Sequence, residues 1–405
     1  MASSSLLTLI KPKNQPRVLC LSLHTPPVVR PQAILIGKMI PEWLNQGITP
    51  VIASYAGEDW NIDLPRYRLP VFKPNKLFAR VPGFRRLAEY WYYHQVTSIC
   101  IKIIKKHDLN LVFSFANPQI SNLLGARLKK RLGIKFVSHF SDPWYDNEYS
   151  TTSPRQARRI LKQETRVIKA SDKLIFVSEK LRDLVMKKYP LEQSRSVVIP
   201  HCFSQSLYPR EGRSEDGKFV ISHIGAFYEQ RNPEILFKVI KELLNRKKEL
   251  EQKIRVQLIG GVNAYAGYSE AKIMALVRTY KLESVIQLIP PVSFEESLSL
   301  MKRAYCLVVI DANFSSSPFL PSKVVDYAGS ERPILGITPT GSATMTFLKQ
   351  LGHGAFTYDQ INDMVNYLAN LATGASQPQT NRQFLDQFDV KQTSKKLINL
   401  FEQIL

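Results

Sequence analysis

Long hydrophobic runs are missing from this sequence. No apolar stretch in its 405 residues approaches the roughly 20 residues that cross a bilayer, which excludes a membrane-spanning helix. The polar segment from Met1 to Pro16 shows no cleavage pattern after its brief Leu-Leu-Thr-Leu-Ile, so no secretory leader is read there and a cytoplasmic protein is expected. Four cysteines, Cys20, Cys100, Cys202 and Cys306, form no Cys-x-x-Cys. That argues against a zinc or redox motif and for buried, idle thiols. No Asp-x-Asp occurs, so a metal bridging a diphosphate is not expected, and no cofactor is called for. The loop after the first apolar strand lacks Gly-x-Gly-x-x-Gly, which removes the dinucleotide fingerprint. No recognised nucleic-acid module is present.

Acidic residues are scarce in one half only. Residues 1–210 hold 33 Lys plus Arg against 14 Asp plus Glu, or +19, whereas residues 211–405 hold 22 against 20, or +2. Such asymmetry points to a polyanionic partner for the first half: nucleic acid, an anionic membrane or an anionic substrate. Within it, Val71 to Tyr93 interleaves Lys73, Lys76, Arg80, Arg85 and Arg86 with Phe72, Phe78, Phe84, Tyr90, Trp91, Tyr92 and Tyr93. Cations beside aromatics suit a headgroup layer, and they also suit single-stranded nucleic acid. An amphipathic helix with packed aromatics and solvated cations has the same composition.

The length allows two domains of about 200 residues, each with its own core. Arg17 to Leu23, a helix from about Pro31 to Gln46 and Thr49 to Ser54 read as strand–helix–strand, the start of a doubly wound sheet. Strands follow at Leu111 to Phe115 and Lys135 to Ser138, the latter running into His139-Phe140-Ser141-Asp142-Pro143-Trp144. Ser196 to Pro200 ends the first half, and Pro200 to Gly217 is a linker by composition. The pattern restarts at Phe219 to Ile224, with Gly225 directly after it, where a glycine permits close backbone approach.

The most informative stretch runs from Phe319 to Ile337. A buried strand is expected at Ala304 to Ile310 and another at Ile334 to Ile337, with a short helix between them that opens at Pro321-Ser322. Ser322 is expected to cap that helix. A helix opening at the carboxyl end of a parallel strand aims free N–H groups and its positive dipole into a crevice, which suits a phosphate. Lys323 adds a cation there, and Asp326, on the same face, can accept hydrogen bonds from sugar hydroxyls.

Pro321-Ser322-Lys323-Val324-Val325-Asp326-Tyr327-Ala328, followed by Arg332-Pro333-Ile334, resembles the Pro-(Ser/Asn)-Lys-x-x-Glu-Tyr…Gly-(Lys/Arg)-Pro-(Val/Ile) segment of glycosyltransferase family 4, the group 1 retaining nucleotide-sugar transferases. His139 to Trp144 resembles the family's stretch ending in Asp-Pro-Trp. Gly225 to Asn232 resembles its Gly-x-x-x-x-x-(Arg/Lys)-(Asn/Lys) loop. The resemblance implies a GT-B fold: an α/β protein of two Rossmann-like, doubly wound parallel-sheet domains facing a cleft. An acceptor domain is expected over 1–205 and a nucleotide-sugar domain over 206–383. A C-terminal helix of about 384–405 should pack back on the first.

In the family, the segment cradles the donor diphosphate and the acid at Asp326 binds the ribose. The donor-binding set implied is Gly225, Arg231, Val292, Leu320, Pro321, Ser322, Lys323 and Asp326. Catalytic roles would fall to His139 and Asp142 toward the acceptor and to Arg231 and Lys323 toward the diphosphate. Three departures stand out: Ala226 replaces a frequent cation, Pro290-Pro291 replaces a glycine before Val292, and Pro318 replaces a Glu that contacts the transferred sugar. The expected partners are a nucleotide sugar, a glycan or lipid-linked acceptor and an anionic membrane surface, without nucleic acid. The expected setting is polysaccharide biosynthesis on the inner face of the membrane. Two rivals are a nucleotide-sugar epimerase on the same fold and a catalytically weak homologue that binds membrane or nucleic acid.

Overall fold

Short apolar runs, buried on both faces, determine the architecture, because strands of that kind need helices on both sides. The computed structural model describes residues 15–55, 60–72, 84–150, 152–210, 212, 217–262, 268–315 and 317–405, with the side chains at 84–86 excepted. Seven strands form the first sheet: β1 (Val18–Leu21), β2 (Val51–Ser54), β3 (Arg66–Arg68), β4 (Leu111–Phe115), β5 (Lys135–Phe140), β6 (Lys173–Phe176) and β7 (Ser196–Val198). Their order is β3-β2-β1-β4-β5-β6-β7. Six form the second: β8 (Phe219–Ile224), β9 (Ile254–Ile259), β10 (Ile286–Ile289), β11 (Cys306–Ile310), β12 (Ile334–Ile337) and β13 (Gly354–Phe356). Here the order is β10-β9-β8-β11-β12-β13. Every strand pair is parallel.

Helices cover both faces of each sheet. The first sheet is served by α1 (Pro31–Asn45), α2 (Phe84–Lys106), α3 (Ile120–Leu132), α4 (Pro154–Ala170) and α5 (Glu179–Met186). The second has α6 (Glu234–Arg246), α7 (Glu270–Tyr280), α8 (Phe294–Arg303), α9 (Ser322–Gly329), α10 (Ala343–Leu351), α11 (Ile361–Thr373) and α12 (Arg382–Asp386). The last helix, α13 (Val390–Ile404), lies on the first sheet beside α1. Phe401 meets Trp43 edge-on at 5.7 Å and Phe113 at 5.4 Å between ring centroids. The chain therefore crosses between the sheets twice. The crossings are bonded to each other: Phe203 N–H donates to Phe388 C=O at 3.0 Å, and Val390 N–H donates to Phe203 C=O at 2.8 Å.

In each sheet the strand order reverses beside one strand, β1 in the first and β8 in the second. The crevice outside the carboxyl ends at such a point is where open α/β sheets take ligands. The two crevices face each other, and side chains meet between them. Tyr149, in the loop after β5, packs edge-on against Phe314 at 4.9 Å and Phe319 at 5.0 Å. Ser178 Oγ donates to Pro318 C=O at 3.2 Å.

Candidate functional site

The site assembles around the exit of β8. Gly225 adopts φ +120°, a conformation disfavoured for any residue with a Cβ, and a Cβ there would lie 3.3 Å from Lys323 Nζ. Lys323, on the first turn of α9, reaches back so that Nζ lies 3.2 Å from Ile224 C=O and 3.3 Å from His223 Nε2. His223 stacks on Phe227 at 4.5 Å, and its Nδ1 lies 3.0 Å from Val308 C=O. Arg231 closes the other side. Its Nη2 donates to Ala226 C=O at 3.2 Å, its guanidinium covers the Tyr228 ring at 4.9 Å, and its buried Nε has no partner.

Electrostatics mark this as a place that lacks negative charge. Burial, and then the charge of Arg231, hold the Lys323 ammonium well below its ordinary range, with Asp311 opposing. Burial and the same two cations push His223 well below its own. Two cations and a neutral imidazole around one glycine form an anion site. The helix end adds to it. Pro321 occupies the N-cap with no side-chain cap, and Ser322 is already the first helical residue. Ser322 is therefore not the cap that the sequence suggests: it sits inside the turn whose N–H groups it would have to satisfy. Val324 N–H donates to Pro321 C=O at 3.0 Å, and no side chain caps the turn before it.

Asp326 lies deeper than a solvent-facing ligand group. Lys38, from the apolar face of α1, donates to Asp326 Oδ1 at 2.7 Å, and their side chains are 1% and 5% exposed. Lys38 Nζ also donates to Cys202 C=O. Burial raises the Asp326 carboxyl, opposed by Lys38. His201 adjoins this pair. Burial, then the charges of His139 and Lys38, bring it down to about 3. The other donor-side residues divide. Leu320 is buried in the core beneath α9, and half-buried Val292 packs against the same core, so their side chains hold the loop in place and only their backbones can face a ligand.

On the first-domain side of the cleft, β5 ends in His139, buried against Phe115 at 5.5 Å. Burial lowers it to about 4, and its Nδ1 has no partner. Asp142 follows on the loop and accepts a hydrogen bond from Asn117 Nδ2. Burial raises its carboxyl to about 6, against the Asn117 bond that lowers it. Of the cations read as facing a membrane, Lys73, Lys76 and Arg80 lie outside the described residues, as do the side chains of Arg85 and Arg86.

Sequence reasoning missed Asp311, Lys38, Tyr149 and His223. Asp311 stands at the carboxyl end of β11, 2% exposed, with Oδ2 unpartnered. Burial brings it up to about 6, while Thr344, Arg231 and Lys323 pull the other way. Tyr358 O–H donates to its backbone carbonyl. A signal existed: an acid directly after five buried apolar residues faces the cleft of a parallel sheet. Lys38 carried one too, as a lone cation between Ile36 and Met39 on a buried helix face.

Residues 42–205 match the model of Glycosyltransferase Family 4. A D-inositol 3-phosphate glycosyltransferase of Kineococcus radiotolerans is 24% identical over 172 residues, which span 40% of this chain and 39% of that relative. The match thus covers less than half of either protein. Among solved structures, a glycosyltransferase from Rickettsia africae superposes with TM-score 0.69 at 12% identity, covering 96% of this chain and 99% of that one. Anabaena HepE in complex with UDP-glucose gives TM-score 0.67 at 13% identity, covering 96% and 100%. The fold is GT-B over nearly the whole chain.

Proposed function

We propose that this chain, a GT-B protein whose first half carries a Glycosyltransferase Family 4 domain, transfers a sugar from a nucleoside diphosphate to a glycan or lipid-linked acceptor. The observation that carries this is the convergence of Arg231 and Lys323 on Gly225, beside the uncapped start of α9. HepE, of the same fold, holds UDP and UDP-glucose, which supports a uridine donor here.

When the sugar–oxygen bond to the diphosphate breaks, the electron pair goes to the leaving phosphate oxygen. Arg231, Lys323 and the positive end of α9 stabilise that charge, which is electrostatic catalysis by preorganised donors without a metal. The new bond forms from C1 to the acceptor hydroxyl oxygen, whose proton needs a base. Asp142, with its carboxyl at about 6, is mostly ionised at neutral pH and suits that task. His139, brought down to about 4, is a weak base and orients the acceptor through its ring. The Asp326 oxygen not held by Lys38 binds the ribose. Stereochemistry is retained, as the family resemblance implies, and the acceptor is met at the inner face of a membrane, toward which the +19 half is drawn.

The test is calorimetry with UDP, GDP and ADP, followed by a radiolabelled transfer assay with the sugar nucleotides of whichever base binds. Binding of one nucleoside diphosphate with acceptor-dependent turnover is expected. Conversion of the sugar nucleotide to an epimer without any acceptor would replace transfer by epimerisation, and no binding of any nucleotide would end both readings.

A further inference from the structure

Outside the cleft, the first domain carries a groove of about 660 Å³ between α2, α3 and α4. Six of its lining residues are cations: Arg127, Arg155, Arg158, Arg159, Lys162 and Arg166. One lining residue is acidic, Glu89, and Arg159 holds it. Arg155, Arg158, Lys162 and Arg166 are exposed and pair with no carboxylate among the described residues. The spacing of 155, 158, 159, 162 and 166 places all five on one face of α4. Arg155, Arg158 and Arg159 crowd the first turns of that helix, where the macrodipole disfavours positive charge. A capping box of Ser153 and Gln156 secures the start of the helix, so Arg155 and Arg158 are not needed to cap it. Arg127 sits over the Tyr93 ring, its guanidinium carbon 3.9 Å from the centroid, and Arg166 repels it.

The rim of the groove differs in kind. Tyr90 lines it, yet is 60% exposed, and Trp91 beside it is 61% exposed, with the two rings 6.2 Å apart. Leu87, one turn earlier on α2, is exposed as well. An apolar, aromatic ridge against a trough in which four of six cations lack a carboxylate partner among the described residues is the surface of a segment that lies in a lipid interface. The opposite sign of charge is what such a trough lacks.

We propose that this groove seats the phosphates of anionic lipid headgroups, with Leu87, Tyr90 and Trp91 entering the interfacial layer beside it. This rests on the membrane part of the reading above. It brings α4 and the exposed edge of α2 into the contact, and it makes that part of the contact a concave site instead of a diffuse charge.

The experiment is co-flotation of the full chain with vesicles of equal parts phosphatidylglycerol and phosphatidylcholine, and with phosphatidylcholine alone, at low salt. The wild type should float with the first and not the second. Arg155→Ala/Arg158→Ala/Lys162→Ala should lose binding roughly a hundredfold, since each cation near an anionic surface contributes about a factor of five. Arg155→Lys/Arg158→Lys should keep most of it. Trp91→Ala should lower partitioning with no change in its dependence on salt. UDP affinity, measured on each variant, reports that the protein is folded. If the triple variant floats like the wild type, the groove proposal is overturned while the membrane reading stands. If the wild type ignores anionic vesicles, both fall. Retention of an oligonucleotide in place of vesicles also overturns the proposal.

Discussion

Lys38 and Lys323 are both lysines drawn into the space between the domains, and their surroundings are opposite. Lys38 has a carboxylate at 2.7 Å. Lys323 has a carbonyl and an imidazole in contact and the repulsion of Arg231 nearby. The acids repeat the contrast: Asp326 is paired, and Asp311 keeps a bare buried oxygen. Burying a charge is costly unless a partner compensates it. The compensated pair therefore reads as a joint between domains. The uncompensated groups, Lys323 and Asp311, are those that the proposed function leaves for a ligand to complete.

Removing one partner of the joint should have the largest effect. Lys38→Met leaves the Asp326 carboxylate buried and alone, which costs about 3–5 kcal/mol, measurable by urea unfolding at neutral pH. A cost below about 1 kcal/mol, the level of a surface pair, would dissolve the contrast. Next is Asp311. Its carboxyl is raised from 3.8 to about 6 in the fold, so its contribution to stability is present below the lower value and lost as pH rises through the upper. Asp311→Asn should thus gain up to about 3 kcal/mol at pH 7 and nothing near pH 3, while sugar-nucleotide turnover falls. A variant that is less stable at neutral pH would make Asp311 structural.

Third, Arg231→Ala or Lys323→Ala removes a charge-assisted contact of about 1.5–3 kcal/mol. Affinity for a nucleoside diphosphate should fall roughly 10- to 150-fold. Asp326→Asn should instead weaken the nucleotide and spare inorganic diphosphate. The subtlest effect is a proton. Because burial and the charge of Arg231 hold Lys323 well below its ordinary range, an arriving diphosphate should raise it again. Proton uptake on binding, read as a dependence of the binding enthalpy on the ionisation enthalpy of the buffer, should then grow as the pH is raised. The Lys323→Ala variant should show no such dependence.

Most strands and the Pro321–Asp326 segment were legible because their signals are local: short apolar runs, a proline at a helix start, a glycine after a strand; the three-residue edge strands β3 (Arg66–Arg68) and β13 (Gly354–Phe356) lack such a run and were not read. The short acidic and basic groups that give the site its balance were not. Lys38 and Asp326 are 288 residues apart, and nothing near either one names the other. Ser322 misled for a related reason, since serine beside proline suits both the cap and the first turn, and the backbone around Pro321 decided between them. The cations of α4 recur at helical spacing in the sequence, but a groove exists only once α2 and α3 stand beside it.

The two chain crossings at Phe203 and Phe388 have a topological consequence. The residues between them, with the whole second sheet, are an insertion into a first domain that is completed only by α13. The two splice points are a hydrogen bond apart. A unit whose entry and exit coincide can be exchanged as one piece, provided that the replacement keeps a carboxylate for Lys38. The host, by contrast, cannot be truncated at its tail, because losing α13 would remove Phe401 from the core it shares with Trp43 and Phe113.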